Sequence, residues 1–200
     1  VRPEQLVLVT GTATEVGKTW VAAAWLAQLS VTTAARKPVQ SFSDGERTDA
    51  EVLAAATGER PEDVCPPHRW YPVPMAPPMA ADVLGRPAFT VADLVGELSW
   101  PDPAVAVGLV ETVGGPRSPV AIDGDTIDMA TALAPDRVIL VADAGLGTIN
   151  AVRLCIAALA AWPVTVFLNR FDDGDDLHRR NRDWLASRAK VQVETAVNAL

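Results

Sequence analysis

The sequence predicts one α/β domain over residues 1–200, with a parallel sheet covered by helices on both faces. Five short apolar runs are the first observation: Leu6–Thr10, Thr33–Lys37, Ala106–Glu111, Val138–Ala142 and Val164–Asn169. Four of them are rich in Val, Leu or Ile, the second reads Thr-Ala-Ala-Arg-Lys, and all are bounded by turn residues. Their apolar character is near-continuous rather than alternating, as strands buried on both faces require. Helix-start signals between these runs are the second observation, because strands alternating with helices indicate a parallel sheet. The third is bulk: 200 residues, 49% of them apolar, suffice for a sizeable core.

The elements follow in order. Leu6–Thr10 leads into a glycine-bearing loop and then a helical run, Trp20 to Leu29. After Thr33–Lys37, Thr48-Asp49-Ala50-Glu51 has the form of a capping box, in which the Thr hydroxyl and the Glu carboxylate satisfy orphan N–H groups at a helix start. Residues 60 to 88 are proline-rich and form a long connection with one helix expected at Met79–Leu84. Long connections at the carboxyl edge of such a sheet tend to hold sites. Thr90-Val91-Ala92-Asp93 is a looser capping box, followed by the helical stripe Leu94, Val95, Leu98 and ended by Pro101. Thr148 is expected to cap a helix running to Leu159, and Asp175-Asp176 to start one ending near Arg188.

Composition excludes several classes. The formal net charge is -8, against a nucleic-acid partner, which would demand a basic face to displace phosphate counterions. Cys65 and Cys155 are isolated and read as reduced thiols of a cytoplasmic protein. His68 and His178 lack partners at metal-ligand spacing and read as surface or packing residues. The longest apolar stretch, Leu154 to Leu168, is too short for a membrane span and is broken by Pro163. No signal peptide precedes Leu6, and the missing initiator Met points to processing or an arbitrary boundary.

The strongest motif is Gly11-Thr12-Ala13-Thr14-Glu15-Val16-Gly17-Lys18-Thr19. A strand, a glycine loop ending in Gly-Lys-Thr and then a helix is the context of a P-loop. Its backbone N–H groups converge on phosphate oxygens, and the helix N-terminus adds unsatisfied donors and partial positive charge. Lys18 would neutralise the outer phosphates and the Thr19 hydroxyl would ligate Mg²⁺. Gly11 and Gly17 are separated by five residues, where the common pattern has four. The longer loop narrows the choice of NTPase family.

Other residues at strand ends carry chemistry. Lys37 opens Lys37-Pro38-Val39-Gln40-Ser41 at the carboxyl edge beside the loop. It reads either as a solvated strand-end lysine or as a second cation for a γ-phosphate or an attacking carboxylate-like group. Glu111 ends its strand before Thr112-Val113-Gly114-Gly115, where an acid that organises Mg²⁺ belongs. Asp143 is a weaker candidate for the same work. Asp49, on spacing alone, reads as an acid stabilising a helix N-terminus. Asn169 reads as a turn-forming residue or as an amide for a base edge.

Taken together, these residues resemble the dethiobiotin synthetase family of ATP-dependent enzymes. The resemblance rests on the GTATEVGKT loop, on Lys37–Val39, on Asp49 opening a helix, on Val110-Glu111-Thr112-Val113-Gly114-Gly115, on Leu146–Asn150, and on Asn169, in unbroken order from Leu6 to about Trp184. It implies a parallel sheet of about seven strands and a homodimer with the site at the interface. It implies ATP as co-substrate, Mg²⁺, CO₂ or bicarbonate, and 7,8-diaminononanoate carboxylated and closed to a cyclic urea through a carbamate and a carbamic–phosphoric anhydride.

Carried over residue by residue, Lys18 and Lys37 would be catalytic, holding carbamate and γ-phosphate. Thr19, Asp49 and Glu111 would organise the metal. Glu15, Val16, Gly17, Lys18, Thr19, Trp20, Asp49, Glu111, Gly114 and Asn169 would meet the nucleotide. Thr14, Lys37, Ser41, Gly114 and Gly115 would meet the diamine or carbamate, and Gly147, Thr148 and Asn150 the substrate's carboxylate tail across the dimer.

Three departures stand out. Thr112 and Phe42 replace residues usually Gly, so either side chain would crowd the pocket. The chain also shows no counterpart to the family's final Ile-Pro-containing segment, which helps hold the adenine. Two other classes compete. One is a diverged ligase of the same fold acting on another carboxylate, as in cobyrinic-acid amidation. The other is a partitioning-type regulatory ATPase, which usually carries an extra lysine early in the loop, where this chain has Thr12 or Ala13.

Overall fold

A computed structural model describes residues 1–43 and 45–200. Six strands form the main sheet: β1 (Gln5–Gly11), β2 (Thr33–Arg36), β3 (Val107–Glu111), β4 (Arg137–Asp143), β5 (Val164–Asn169) and β6 (Gln192–Glu194). Their spatial order is β6-β5-β4-β1-β3-β2, and every pairing is parallel. All five anticipated strands are present. The main sheet thus has six strands where about seven were expected. The sixth, β6, is three residues long and partly exposed, so it lacks the apolar run that betrays a buried strand.

The alternation of side chains along each strand divides the core between the two faces. Val7, Val9, Leu109, Ile139, Val141 and Phe167 point to one face, where α1 (Lys18–Leu26) and α2 (Asp49–Thr57) supply Val21, Trp25, Leu26 and Leu53. Leu6, Leu8, Val110, Val138, Leu140 and Val166 point to the other. There, further along the chain, the helix Thr148–Ala158 contributes Val152 and Cys155. Burying each such side chain stabilises the fold by about 1.5–3 kcal/mol before the entropy of ordering it is subtracted. At the β2 edge, the Ala35 N–H donates to Glu59 Oε2 at 2.8 Å, so the edge is capped rather than left open.

The Thr48 capping box is formed in full: the Glu51 N–H donates to Thr48 Oγ1 and the Thr48 N–H to Glu51 Oε2. In the proline-rich connection, α3 (Pro77–Val83) starts two residues before the helix expected there, because prolines suit a helix's first turn. The second capping box opens α4 (Val91–Gly96), which ends before Leu98. A helix not anticipated, α5 (Thr126–Leu133), is capped by Asp125, whose side chain accepts from the N–H groups of Ile127 and Asp128.

Thr148 does not cap α6 (Thr148–Ala158). The N-cap is Gly147, at φ 93 in the left-handed region, and the buried Thr148 hydroxyl has no partner. Asp175 caps α7 (Asp176–Trp184), whose last turns widen into a π-helical stretch, Leu185–Ala189. A satellite core of Val39, Tyr71, Phe89, Leu94, Val120 and Met129 fixes residues 60 to 88 beside the carboxyl edge of the sheet.

Candidate active site

The loop after β1 folds back sharply on itself. A Cβ on Gly11 would come within 2.8 Å of the Ala13 carbonyl oxygen and of Val16 Cγ2. Gly17 adopts φ +89, and a Cβ there would lie 2.1 Å from Asn169 Nδ2. Only glycine fits both positions. The base of the loop is tied to the sheet by Gly11 N–H to the Gly114 carbonyl (3.1 Å) and Thr12 N–H to the Val141 carbonyl (2.9 Å). Lys18 crosses the loop, its Nζ donating to the Ala13 carbonyl at 3.3 Å. Lys18 is also the first residue of α1, so the loop sits on a helix N-terminus, which attracts anions.

Lys37, just past β2, is 1% exposed, so it is not a solvated strand-end lysine. Its Nζ lies 2.7 Å from Asp49 Oδ2 and 2.7 Å from Glu111 Oε1, and donates to the Thr112 carbonyl at 3.4 Å. The Thr19 hydroxyl reaches Asp49 Oδ1 at 2.7 Å and Glu111 Oε1 at 2.9 Å. Thus Asp49, which on spacing alone looked like a helix-start acid, joins the loop and the end of β3 in one cluster.

The electrostatics follow from burial. Burial alone would lower the Lys37 pKa, but the Asp49 and Glu111 carboxylates outweigh it and hold the ammonium above its ordinary range. Burial likewise would raise Asp49, and Lys37 and Thr19 reverse it, leaving the carboxyl below its usual value. Glu111 is pushed up, first by burial and then by the Asp49 charge, against the pull of Lys37 and Lys18. Burial and then the Lys37 charge lower Lys18. A buried carboxylate that favours a proton favours any added cation for the same reason.

Glu111 Oε2 is buried without a partner. A hydroxyl and two carboxylates, one of them carrying this orphaned oxygen, fit a hard cation that keeps several waters and takes phosphate oxygens as ligands, as Mg²⁺ does. Among the described residues no three His, Cys, Asp or Glu gather as an all-protein cage.

A cleft of about 820 Å³ opens over this cluster. Thr14, Glu15, Gly17, Lys18, Thr19, Trp20, Lys37, Ser41, Asp49, Glu111 and Gly114 all line it. Gly115 lies just behind, where a Cβ would press on the Gly11 carbonyl at 3.1 Å. Gly147, Thr148 and Asn150 do not line this cleft, and Val16 is buried under the loop. Ser41 turns its hydroxyl to the Met75 carbonyl at 2.6 Å. That bond ties the Pro74–Pro77 wall across the cleft, and Phe42 stands beside it, edge-on to Trp70.

Thr112 does not crowd the site: it is 2% exposed, and its hydroxyl turns back to the Val9 carbonyl at 3.4 Å. Asp143 is not part of the cation cluster; it pairs with Arg170 at 3.1 Å.

A second cleft, about 920 Å³, adjoins the first through Gly17, Trp20 and Arg170, and contains Asn169. Asn169 donates its amide to the Val16 carbonyl at 2.9 Å, which leaves its own oxygen for a ligand. Thr195, Val197 and Asn198 also line this cleft, so the end of the chain does border it despite lacking the expected Ile-Pro pattern. Arg170, Met75 and Gln40 are cleft residues that sequence reasoning passed over. Arg170 follows a strand-end Asn at the ligand edge, a signal that was available. The Met75 backbone contributes a wall and carries no sequence signal.

A glycine loop on a helix N-terminus, a lysine across it, and a Thr–Asp–Glu cluster below it define a P-loop ATPase. The same fold recurs in solved structures at low identity. A plasmid partition protein from Borrelia burgdorferi bound to AMPPNP has a TM-score of 0.57 at 11% identity, covering 98% of this chain and 88% of that one. A ParA family ATPase from Chlorobium tepidum has 0.55 at 11%, covering 96% and 83%. These likenesses carry the fold alone.

Sequence relatives are more specific. A family model described as an AAA domain matches residues 5–197. ATP-dependent dethiobiotin synthetases from Anaeromyxobacter sp. (strain Fw109-5), Rhodococcus erythropolis and Mycobacterium marinum are 37%, 36% and 35% identical, covering 84%, 93% and 96% of this chain and 78%, 85% and 86% of theirs. The chain belongs to the dethiobiotin synthetase family and is an ATP-dependent ligase of that family.

Proposed function

We propose that this chain uses ATP to carboxylate 7,8-diaminononanoate with CO₂ and to close the product into a cyclic urea. The observation that carries the reading is the buried Lys37 ammonium, 2.7 Å from both Asp49 and Glu111 in the cleft that also holds Lys18 and Thr19. One amine adds to CO₂ and loses a proton, giving a carbamate. Lys37 and Lys18 hold the carbamate oxygen against the γ-phosphorus, and that oxygen displaces ADP. The second amine then attacks the carbamoyl carbon, loses a proton and expels phosphate. Atoms balance as diamine, CO₂ and ATP becoming cyclic urea, ADP and phosphate.

Catalysis on this reading is positioning plus charge neutralisation. Thr19, Asp49 and Glu111 would hold Mg²⁺. When bound, it neutralises charge on the β- and γ-phosphate oxygens. Loop N–H groups from Val16 to Thr19 take the phosphates, Gly114 and Gly115 keep the facing wall close, and Asn169 offers its amide oxygen to the base. Thr14 and Ser41 border the diamine, with Ser41 acting chiefly through the Met75 wall.

The Gly147–Asn150 segment, outside the cleft of its own chain, fits a role toward the partner's substrate tail in a homodimer. The reading also places the protein in the cytoplasm, acting without nucleic acid or membrane. Among the described residues no helix is long and apolar enough to cross a membrane. Phe42 favours one second reading, a same-fold ligase for a different carboxylate or carbamate.

Phosphate release from Mg–ATP separates them. The first reading expects release only with diaminononanoate and bicarbonate present together. Release without cyclic urea, or indifference to the diamine, favours the second.

A further inference from the structure

The apex of the phosphate loop is held from the end of β5 by two neighbouring side chains. Asn169 Nδ2 donates to the Val16 carbonyl at 2.9 Å, and Arg170 Nη2 donates to the Glu15 carbonyl at 2.9 Å. Arg170 Nη1 is fixed in turn by Asp143 Oδ2, 3.1 Å away at the end of β4. Asp143 uses its other oxygen to accept the Gly145 N–H at 2.9 Å, which sets the carboxylate's direction. Three strand ends or loops therefore meet at one guanidinium.

In a planar trans peptide the C=O and the following N–H point in opposite directions. A carbonyl pulled outward by a donor on β5 sends the next N–H inward, toward the loop's hollow. Holding the Glu15 carbonyl aims the Val16 N–H, and holding the Val16 carbonyl aims the Gly17 N–H. The backbone records the constraint. Glu15 (φ 60) and Arg170 (φ 57) are two of the four non-glycine residues in the left-handed region among the described residues, and this hydrogen bond joins them. Such conformations persist only where the surroundings enforce them. A loop one residue longer than usual has one more peptide to orient.

We propose that Arg170, braced by Asp143, is a positioning residue that aims the Val16 N–H at the phosphates of the nucleotide. It acts through the Glu15 carbonyl and reads no base. The inference rests on the proposed use of ATP at this loop. Arg170 and Asp143 are both substantially exposed, so the contact is weakened by solvent, and a modest effect is expected.

The test measures binding of Mg–ATP and of inorganic tripolyphosphate to the full chain by calorimetry, with melting temperature recorded alongside. Arg170→Gln and Arg170→Gly both remove the donor, and glycine also suits the left-handed backbone there. Each variant is expected to weaken both ligands by the same factor, roughly three- to tenfold, as loss of one hydrogen bond implies. Asp143→Asn is expected to weaken both by less, and to add nothing when combined with Arg170→Gln.

Unchanged affinity in both Arg170 variants overturns the inference. So does a loss confined to ATP, which would put Arg170 on the nucleoside, or a full additive loss in the double variant. A wild-type chain that binds neither ligand overturns the inference and the proposed function together. Wild-type binding with unaffected variants removes the inference alone.

Discussion

Replacing Lys37 by Met removes the ammonium and keeps most of the side chain's volume. The consequence follows from what the ammonium touches. Glu111 is 0% exposed and would be left facing Asp49, with Lys18, outside ion-pair contact, as the remaining nearby cation. Removing one partner of a buried pair costs about 3–5 kcal/mol, because the other charge stays buried and uncompensated. Asp49 is 37% exposed at its side chain, so water relieves its share, and Glu111 dominates. For a chain of this size each kcal/mol moves the midpoint by about 2–4 °C, so Lys37→Met should melt roughly 6–20 °C lower.

Adding Glu111→Gln to Lys37→Met removes the stranded charge, and should recover about half of the loss. Thermal unfolding followed by circular dichroism at neutral pH reads both. An unchanged midpoint in Lys37→Met, or a double variant that melts no higher than the single, would refute the reasoning. Lys37→Met should also abolish turnover; an unchanged rate sinks its catalytic role.

Lys18→Ala should abolish turnover too, and titration with Mg–ATP should show weaker nucleotide binding than in Lys37→Met, because Lys18 crosses the phosphate loop itself. Burial would raise the Asp49 carboxyl, but Lys37 and Thr19 hold it below the ordinary carboxylate value, so its contribution to stability is present above that ordinary value and is lost as pH falls through the lowered one. Melting temperatures of Asp49→Asn taken from about pH 4 downward should therefore fall less steeply than those of the parent. Phe42→Gly removes an aromatic wall from the cleft; with diaminononanoate it should change KM by roughly two- to tenfold while kcat moves less than twofold, the mark of binding rather than chemistry. Equal falls in kcat and kcat/KM would place Phe42 in the chemistry instead.

The parts legible in the sequence are those where local signal and tertiary role coincide. A strand buried on both faces must be largely apolar, so β1, β3, β4 and β5 announce themselves, whereas the edge strand β2 (Thr-Ala-Ala-Arg) is carried by its small residues and its place between turns. The glycines of the loop are demanded by contacts under 3 Å to Val16, Ala13 and Asn169, and their spacing is visible in the chain. Lys37 and Glu111 end strands at the carboxyl edge, so topology alone brings them to the loop. Asp49 shows the limit: a helix-start acid and a metal-organising acid look identical until the distance to Thr19 is known.

Thr112 shows the converse, since its rotation toward Val9 decides that it does not crowd the cleft. Strand β6 is illegible because its one pairing, to β5, is distant in the chain and it has little local pattern of its own. Arg170 is marked in the sequence by its place after a strand-end Asn, but its contact to the Glu15 carbonyl, 155 residues away, is not.

The most direct test of the account supplies isotopically labelled bicarbonate, diaminononanoate and Mg–ATP to the purified chain, and follows the cyclic urea by mass alongside phosphate release. The account predicts the label in the urea carbonyl, with one phosphate released per ring closed. Phosphate released without labelled urea, or urea formed without ATP, would contradict it.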